Sequence, residues 1–168
     1  MSAQIRFIAD LHLSHANMAF RRGFKDIHEH DEYIIESWNS VVGKRDVTYI
    51  LGDVTMEKKD PYVLLDRLRG IKHIILGNHD KFNHVPELLK HVNSVAGMRK
   101  YKGLWLSHAP LHPHDFDFNI RGNIHGHIHE KQIDDPRYYC VSCERVNYKP
   151  VSLSQLGILE QYNENSNT

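Results

Sequence analysis

Five short clusters in this sequence carry side chains able to bind a metal ion: Asp10-Leu11-His12, Gly52-Asp53, Gly77-Asn78-His79-Asp80, Ser107-His108 and Gly126-His127-Ile128-His129. Such a mixed nitrogen and oxygen set suits Mn²⁺, Fe, Zn²⁺ or Ni²⁺ better than Ca²⁺. The chain holds 14 histidines, and imidazole is the commonest neutral metal ligand. Taken singly, each cluster has a plainer reading. Gly52-Asp53 suits a turn, where glycine supplies a positive φ and aspartate bonds its own backbone. Gly77-Asn78-His79-Asp80 suits a strand-to-helix loop with Asp80 as a cap. His127 and His129 form the stronger pair, because alternate strand positions face the same way and present two imidazoles together.

The clusters become one signal through the elements that carry them. Ile5 to Ala9 is an apolar run of strand length that stops at Asp10; Val47 to Leu51 stops at Gly52-Asp53, and Ile71 to Leu76 at Gly77. Between these strands, Tyr33 to Val42 places Ile34, Trp38, Val41 and Val42 on one helical face, with Gly43 as its stop. A second short helix opens at Asp60-Pro61, carries Val63, Leu64 and Leu68 and closes at Gly70; a third starts at Pro86 and runs through Leu89. From Val92 onward the pattern changes to short strands, Val92 to Met98, Leu104 to Leu106, Asn119 to Ile124 and Tyr138 to Ser142, with a hairpin turn at Lys102-Gly103. The expected fold class is therefore α/β, an α+β-like layered sandwich with parallel strands in the first half and a mixed or antiparallel second half. In open α/β sheets ligands bind beyond the carboxyl ends of the strands, where these clusters would meet.

Composition narrows the function classes. At 168 residues the chain fits one domain, taken as residues 1–160, followed by a polar tail at 161–168. Lys plus Arg and Asp plus Glu each number 21, so no general polyanion-binding surface is expected, and nucleic acid enters only as a locally recognised substrate. The opening residues hold no apolar stretch long enough for a signal peptide or a membrane span, so a cytoplasmic protein without a membrane partner is expected. Cys140 and Cys143 form a C-x-x-C, but residues three apart on a strand point to opposite faces, and no second such pair completes a tetrahedral site.

The order D-x-H, G-D, G-N-H-D, H, G-H-x-H from Asp10 to His129 resembles the signature of the calcineurin-like metallophosphoesterase superfamily. The likeness extends to small bacterial and phage-borne members at Asp10 to Asn17, Trp38 to Val42 and Asn147 to Val151. The resemblance implies two mixed β-sheets flanked by helices, and two divalent metal ions per chain, with Mn²⁺ the first expectation. It implies that Asp10, His12, Asp53 and His129 hold one metal, and that Asp53 bridges to a second held also by Asn78, His108 and His127. A hydroxide bridging the two metals would attack phosphorus, with His79 as the catalytic group at the departing oxygen and Asp80 orienting His79.

Beyond the ligands, His15 and Asn17 are candidate substrate contacts, with a surface or supporting role as the plainer reading; Arg22, with Arg21 and Lys25, is a candidate contact to a second phosphate or a nucleobase-bearing group, with a solvated side chain as the plainer reading, and His112 to Asp115 would form a rim. So few residues lie outside the ligand-bearing framework that an open cleft is expected, which favours a nucleotide-like or other small phosphodiester over a monoester. A nuclease acting on RNA or DNA and an inactive metal-binding scaffold are the alternatives. The neutral composition speaks against the first, and the complete ligand set with His79 against the second.

Overall fold

The structure, a computed structural model, describes residues 2–56, 62–117 and 119–158. Its strands are β1 (Ile5–Ile8), β2 (Val47–Leu51), β3 (Ile71–Ile75), β4 (Ser94–Ala96), β5 (Arg99–Tyr101), β6 (Leu104–Leu106), β7 (Gly122–His125), β8 (Tyr138–Cys140) and β9 (Val151–Ser152). Its α-helices are α1 (Ala16–Arg21), α2 (Ile27–Asn39) and α3 (Val85–Leu88), with 3₁₀ turns at Val63–Arg67, Phe82–His84 and Pro113–Asp115. Two mixed sheets result, in the orders β4-β3-β2-β1-β9 and β5-β6-β7-β8. In the first, β1 to β4 are parallel and β9 is antiparallel; in the second, only the β5–β6 pair is antiparallel. The layered α/β class expected from the sequence is the one observed.

Strand alternation builds two cores from one central sheet. Ile8, Ile50 and Ile74 turn toward the helices, where they pack with Ile34, Ile35, Trp38, Leu65 and Leu88. Their neighbours Phe7, Ala9, Tyr49, Leu51 and Ile75 turn the other way and meet Leu104, Leu106, Ile124 and Val141 of the second sheet. A strand that packs on both faces reads as a mainly apolar run, which is why β1 to β3 stood out in the sequence. Burying each of these side chains contributes roughly 1.5–3 kcal/mol, and the one polar atom of the fully buried Trp38 donates to the Arg69 carbonyl at 3.0 Å.

Several boundaries differ from the sequence reading. Helix α2 begins before Tyr33, because the Asp26 side chain accepts from the Glu29 backbone N–H at 2.8 Å and caps it. The segment expected to open the second helix at Asp60-Pro61 lies outside the described residues, and the next element along the chain is a 3₁₀ turn. The hairpin turn stands as expected: Lys102 and Gly103, at φ 46° and 71°, link paired Tyr101 and Leu104. The short antiparallel strand β9 carried no sequence signal of its own. The expected polar tail, 161–168, falls outside the described residues. Among the described residues no helix is long and apolar enough to cross a membrane.

Candidate metal centre

The parallel strands deliver the clusters to one edge. Beyond β1, the chain from Asp10 to Leu13 runs beside the chain beyond β2, with Asp10, His12 and Leu13 N–H groups donating to the carbonyls of Gly52, Asp53 and Val54 at 2.9–3.0 Å. Beyond β6 and β7, the Gly126 N–H donates to the His108 carbonyl at 2.9 Å. Close approach is possible only because glycines flank the ligands. A Cβ on Gly52 would lie 2.4 Å from His108 Nδ1, and one on Gly126 would lie 2.5 Å from Asp10 Oδ2. Asp10, His12, Asp53, His127 and His129 all have φ between 49° and 70°. Each such non-glycine residue costs of order 1–3 kcal/mol, a strain that concentrates at functional sites.

Two groups of ligand atoms form around Asp53. His12 Nε2 lies 3.6 Å from Asp53 Oδ2 and 4.0 Å from Asp10 Oδ1, and His129 Nε2 lies 4.0 Å from the same Asp10 oxygen. The His12 and His129 rings stack, with centroids 5.4 Å apart. On the other side His108 Nε2 is 3.4 Å from Asp53 Oδ2 and 2.9 Å from Asn78 Oδ1. His127 Nδ1 completes a triangle with them, 3.0 Å from Asn78 Oδ1 and 3.1 Å from His108 Nε2. Ligand atoms bound at about 2.1 Å and at right angles to one another stand about 3 Å apart. Asp53 Oδ1 accepts from the His79 N–H at 2.9 Å, which leaves Oδ2 as the oxygen common to both groups.

The donor set passes a direct test of fit to a cation. His12 Nε2 is buried and has no hydrogen-bond partner among the described residues, although it faces two carboxylates. Burial foremost, against the pull of Asp53, lowers the His12 pKa to about 3, so the ring is neutral. A neutral ring nitrogen left unpaired beside carboxylate oxygens is costly unless a positive ion joins them. His108 is set differently. Burial disfavours its charge, yet Asp53 and the Leu51 carbonyl outweigh burial and raise its pKa. Its Nδ1–H donates to Leu51 O at 2.8 Å, which leaves Nε2 as the ligating atom. Burial also raises the Asp10 pKa, against the Ser142 hydroxyl and nearby histidines.

The seven expected ligands are thus brought together, but two expectations change. His127 and His129 do not share a strand face: β7 ends at His125, and their left-handed backbones send one ring to each ligand group. Asp80 does not orient the His79 ring. Its Oδ2 accepts from Gly77 and Asp53 N–H at 2.7 and 2.8 Å and its Oδ1 from Val54 N–H at 2.9 Å, so it clamps the two loops together. His79 stays at the mouth, its side chain 44% exposed with Nε2 4.0 Å from Asp53 Oδ2.

Among the candidate substrate contacts, His15 lies near the site, its ring centroid 5.4 Å from that of His12. Its Nδ1 accepts from Met18 N–H and caps α1, on which Asn17 is exposed. Arg22 is the clear correction. Its side chain is 2% exposed and its guanidinium is spent on Glu144, His30 and the Asp10 and Leu11 carbonyls, so it stands behind the ligands rather than in the cleft. The 3₁₀ turn at Pro113–Asp115 is exposed and joins none of the ligand groups. The two cysteines are free: Cys143 is buried in the helix-side core, whereas Cys140 Sγ contacts the His129 carbonyl.

Sequence reasoning missed two supporting residues. The Ser142 hydroxyl donates to Asp10 Oδ2 at 2.6 Å, and Glu144 Oε1 accepts from His129 Nδ1 at 3.1 Å. The one available signal was the polar alternation Ser142-x-Glu144 running on from a strand whose other residues, Val141 and Cys143, are apolar and buried. A cavity of about 620 Å³ lies at the amino ends of β1 and β2, lined among others by Gln4, Arg6, Val41 and Asp46. It is remote from every ligand cluster.

No family model matches the sequence. The chain is 34% identical over 162 residues to "Uncharacterized protein MJ1445" of Methanocaldococcus jannaschii, covering 89% of this chain and 87% of the relative. It is 30% identical over 162 residues to "Gene 66 protein" of Mycobacterium phage D29, covering 78% of this chain and 81% of the relative. The crystal structure of a protein of unknown function, AQ665 from Aquifex aeolicus, superposes with a TM-score of 0.74 at 27% identity, over 94% of this chain and 100% of that one.

Proposed function

We propose that this chain, which belongs to the same family as the M. jannaschii protein and the phage gene 66 protein, is a metal-dependent phosphoesterase, more specifically a phosphodiesterase. The observation that carries the reading is Asp53 Oδ2, which lies 3.6 Å from His12 Nε2 of one ligand group and 3.4 Å from His108 Nε2 of the other. A single carboxylate oxygen shared by two converging nitrogen and oxygen sets is the arrangement that holds two dications side by side. Asp10, His12 and His129 would hold one divalent cation and Asn78, His108 and His127 the other, with Asp53 common to both; Mn²⁺ is the first expectation. Such a pair supplies charge to the phosphoryl oxygens and makes water a usable nucleophile near neutral pH.

The chain's own groups define the rest. His79, half-exposed and next to Asp53, stands on the open side of the site and donates a proton to the departing oxygen. Asp80 fixes the loop from which His79 projects by accepting from three backbone N–H groups. His127, Asn78 and His79 are exposed, so the cleft leaves room for a substituent on each side of the phosphorus. That openness favours a small or nucleotide-like diester, which carries two substituents and a single negative charge.

The test is hydrolysis of a chromogenic phosphodiester by metal-free protein supplied with Mn²⁺, compared with the corresponding monoester and with chelator. Turnover that depends on Mn²⁺ and is faster on the diester is expected. His79→Ala should keep its metal content and lose roughly 10²–10⁴ in turnover. Higher efficiency on the monoester overturns the diester assignment, and metal binding with no hydrolysis of either ester overturns the enzyme assignment.

A further inference from the structure

Behind the ligands lies a buried chain of charged and polar groups whose hydrogen-bond directions are all fixed. Arginine only donates. Arg22 Nη1, 2.9 Å from His30 Nε2, therefore makes that nitrogen the acceptor, and His30 Nδ1–H donates to Asp31 Oδ1 at 2.9 Å. Arg22 Nη2 donates to the Asp10 carbonyl at 2.7 Å and Nη1 to the Leu11 carbonyl at 3.0 Å. Its Nε–H donates to Glu144 Oε1 at 2.8 Å. That same oxygen lies 3.1 Å from His129 Nδ1. A carboxylate only accepts, so His129 carries its proton on Nδ1 and presents Nε2 toward Asp10.

We infer that Glu144, anchored by Arg22, is the positioning residue that sets the affinity of the metal position built on Asp10, His12 and His129. The inference rests on the two-metal reading of the site. Asp10 and His129 come from distant parts of the sequence; the His127 N–H joins the two loops at the Asp10 carboxylate, 2.9 Å from Oδ2, but leaves the His129 ring itself to be aimed by other contacts. The His129 side chain is 22% exposed and is held in place by stacking on His12 and by this one carboxylate. Arg22 joins the carboxylate to the main chain of Asp10 itself, so a shift of either ligand strains the same four-residue link. An imidazole whose far nitrogen is tied to a carboxylate is both oriented and made more basic, and losing such a partner typically costs 10–100-fold in metal affinity. The second ligand group makes no contact with the pair: the non-ligating nitrogen of His108 is fixed by the Leu51 carbonyl.

Calorimetric titration of metal-free protein with Mn²⁺, checked by elemental analysis, tests this without an activity readout. Wild type should take two equivalents. Glu144→Ala should weaken one of them roughly 10–100-fold and leave the other within about threefold. Glu144→Gln keeps a neutral acceptor at Oε1 for His129 and Arg22 while giving up the charge of the carboxylate, so it should recover part of the lost affinity. Unchanged affinity in Glu144→Ala overturns the inference, as does equal weakening of both equivalents in Glu144→Ala and Glu144→Gln. Should Glu144→Ala not fold without metal, Arg22→Lys replaces it: loss confined to one equivalent supports the inference and two unchanged equivalents overturn it. Wild-type protein that binds no divalent cation overturns the two-metal reading and this inference together, whereas two tight equivalents insensitive to Glu144 overturn this inference alone.

Discussion

Replacing Gly126 by alanine adds one methyl group where the chain beyond β7 meets the chain beyond β1. Its Cβ would lie 2.4 Å from Ala9 Cβ and 2.5 Å from Asp10 Oδ2, where ordinary carbon contacts are about 3.5–4.0 Å. One side must yield by about 1 Å, and neither is free to do so. Ala9 and Asp10 are fully buried, and the Ala9 backbone is paired on both sides, its N–H to Val141 O at 2.8 Å and its carbonyl to Cys143 N–H at 3.1 Å. Overpacking of this kind costs roughly 1–3 kcal/mol. Displacing Asp10 Oδ2 also breaks its bonds to the Ser142 hydroxyl at 2.6 Å and the His127 N–H at 2.9 Å, and Mn²⁺ affinity should fall at least tenfold, about 1.4 kcal/mol. Urea denaturation of the metal-free protein reads the first effect and Mn²⁺ titration the second. Gly97→Ala is the internal control, since a Cβ there meets nothing within 4 Å and should change stability by less than about 0.5 kcal/mol. A Gly126→Ala protein with control-like stability and unchanged affinity would refute the reasoning that Ala9 and Asp10 leave no room for a side chain here.

The charges at the site carry two further outcomes. Asp10→Asn should make the metal-free protein more stable by about 0.5–2 kcal/mol at neutral pH while removing metal binding, because burial penalises the ionised carboxylate that a cation would need. The folded pKa is raised, so this gain must shrink as pH falls through it, and denaturation midpoints that rise equally at all pH values would contradict the cause. Uptake of Mn²⁺ at about pH 6 should release protons from His108 and His129, whose pKa values are raised, and none from His12, whose pKa is lowered to about 3. The release should fade as pH rises past those values. Calorimetry in buffers of different ionisation enthalpy measures it, and zero release at about pH 6 would mean that both rings are already neutral.

The sequence by itself determined where the ligand-bearing residues stand along the chain and which strands carry them. Strands β1 to β3 place apolar residues in a core on each face, so they read as mainly apolar runs, and the Asp or Gly that ends each run was conspicuous for that reason. Gly52 was legible too, though as a turn former; only the folded chain shows that a side chain at Gly52, Gly77 or Gly126 would strike a ligand of another loop. What tertiary structure decided was direction. His127 and His129 looked like a pair because strand alternation puts residues two apart on one face, but the strand ends at His125 and the left-handed backbone beyond it separates them. Arg22 read as a substrate contact or a solvated side chain, yet its hydrogen-bond partners at Asp10, His30 and Glu144 come from three other segments and bury it. Hydrogen bonds across 122 residues, such as that from Arg22 to Glu144, leave no periodic trace in a sequence, because they depend on which strand ends lie side by side and not on the order in which the chain visits them.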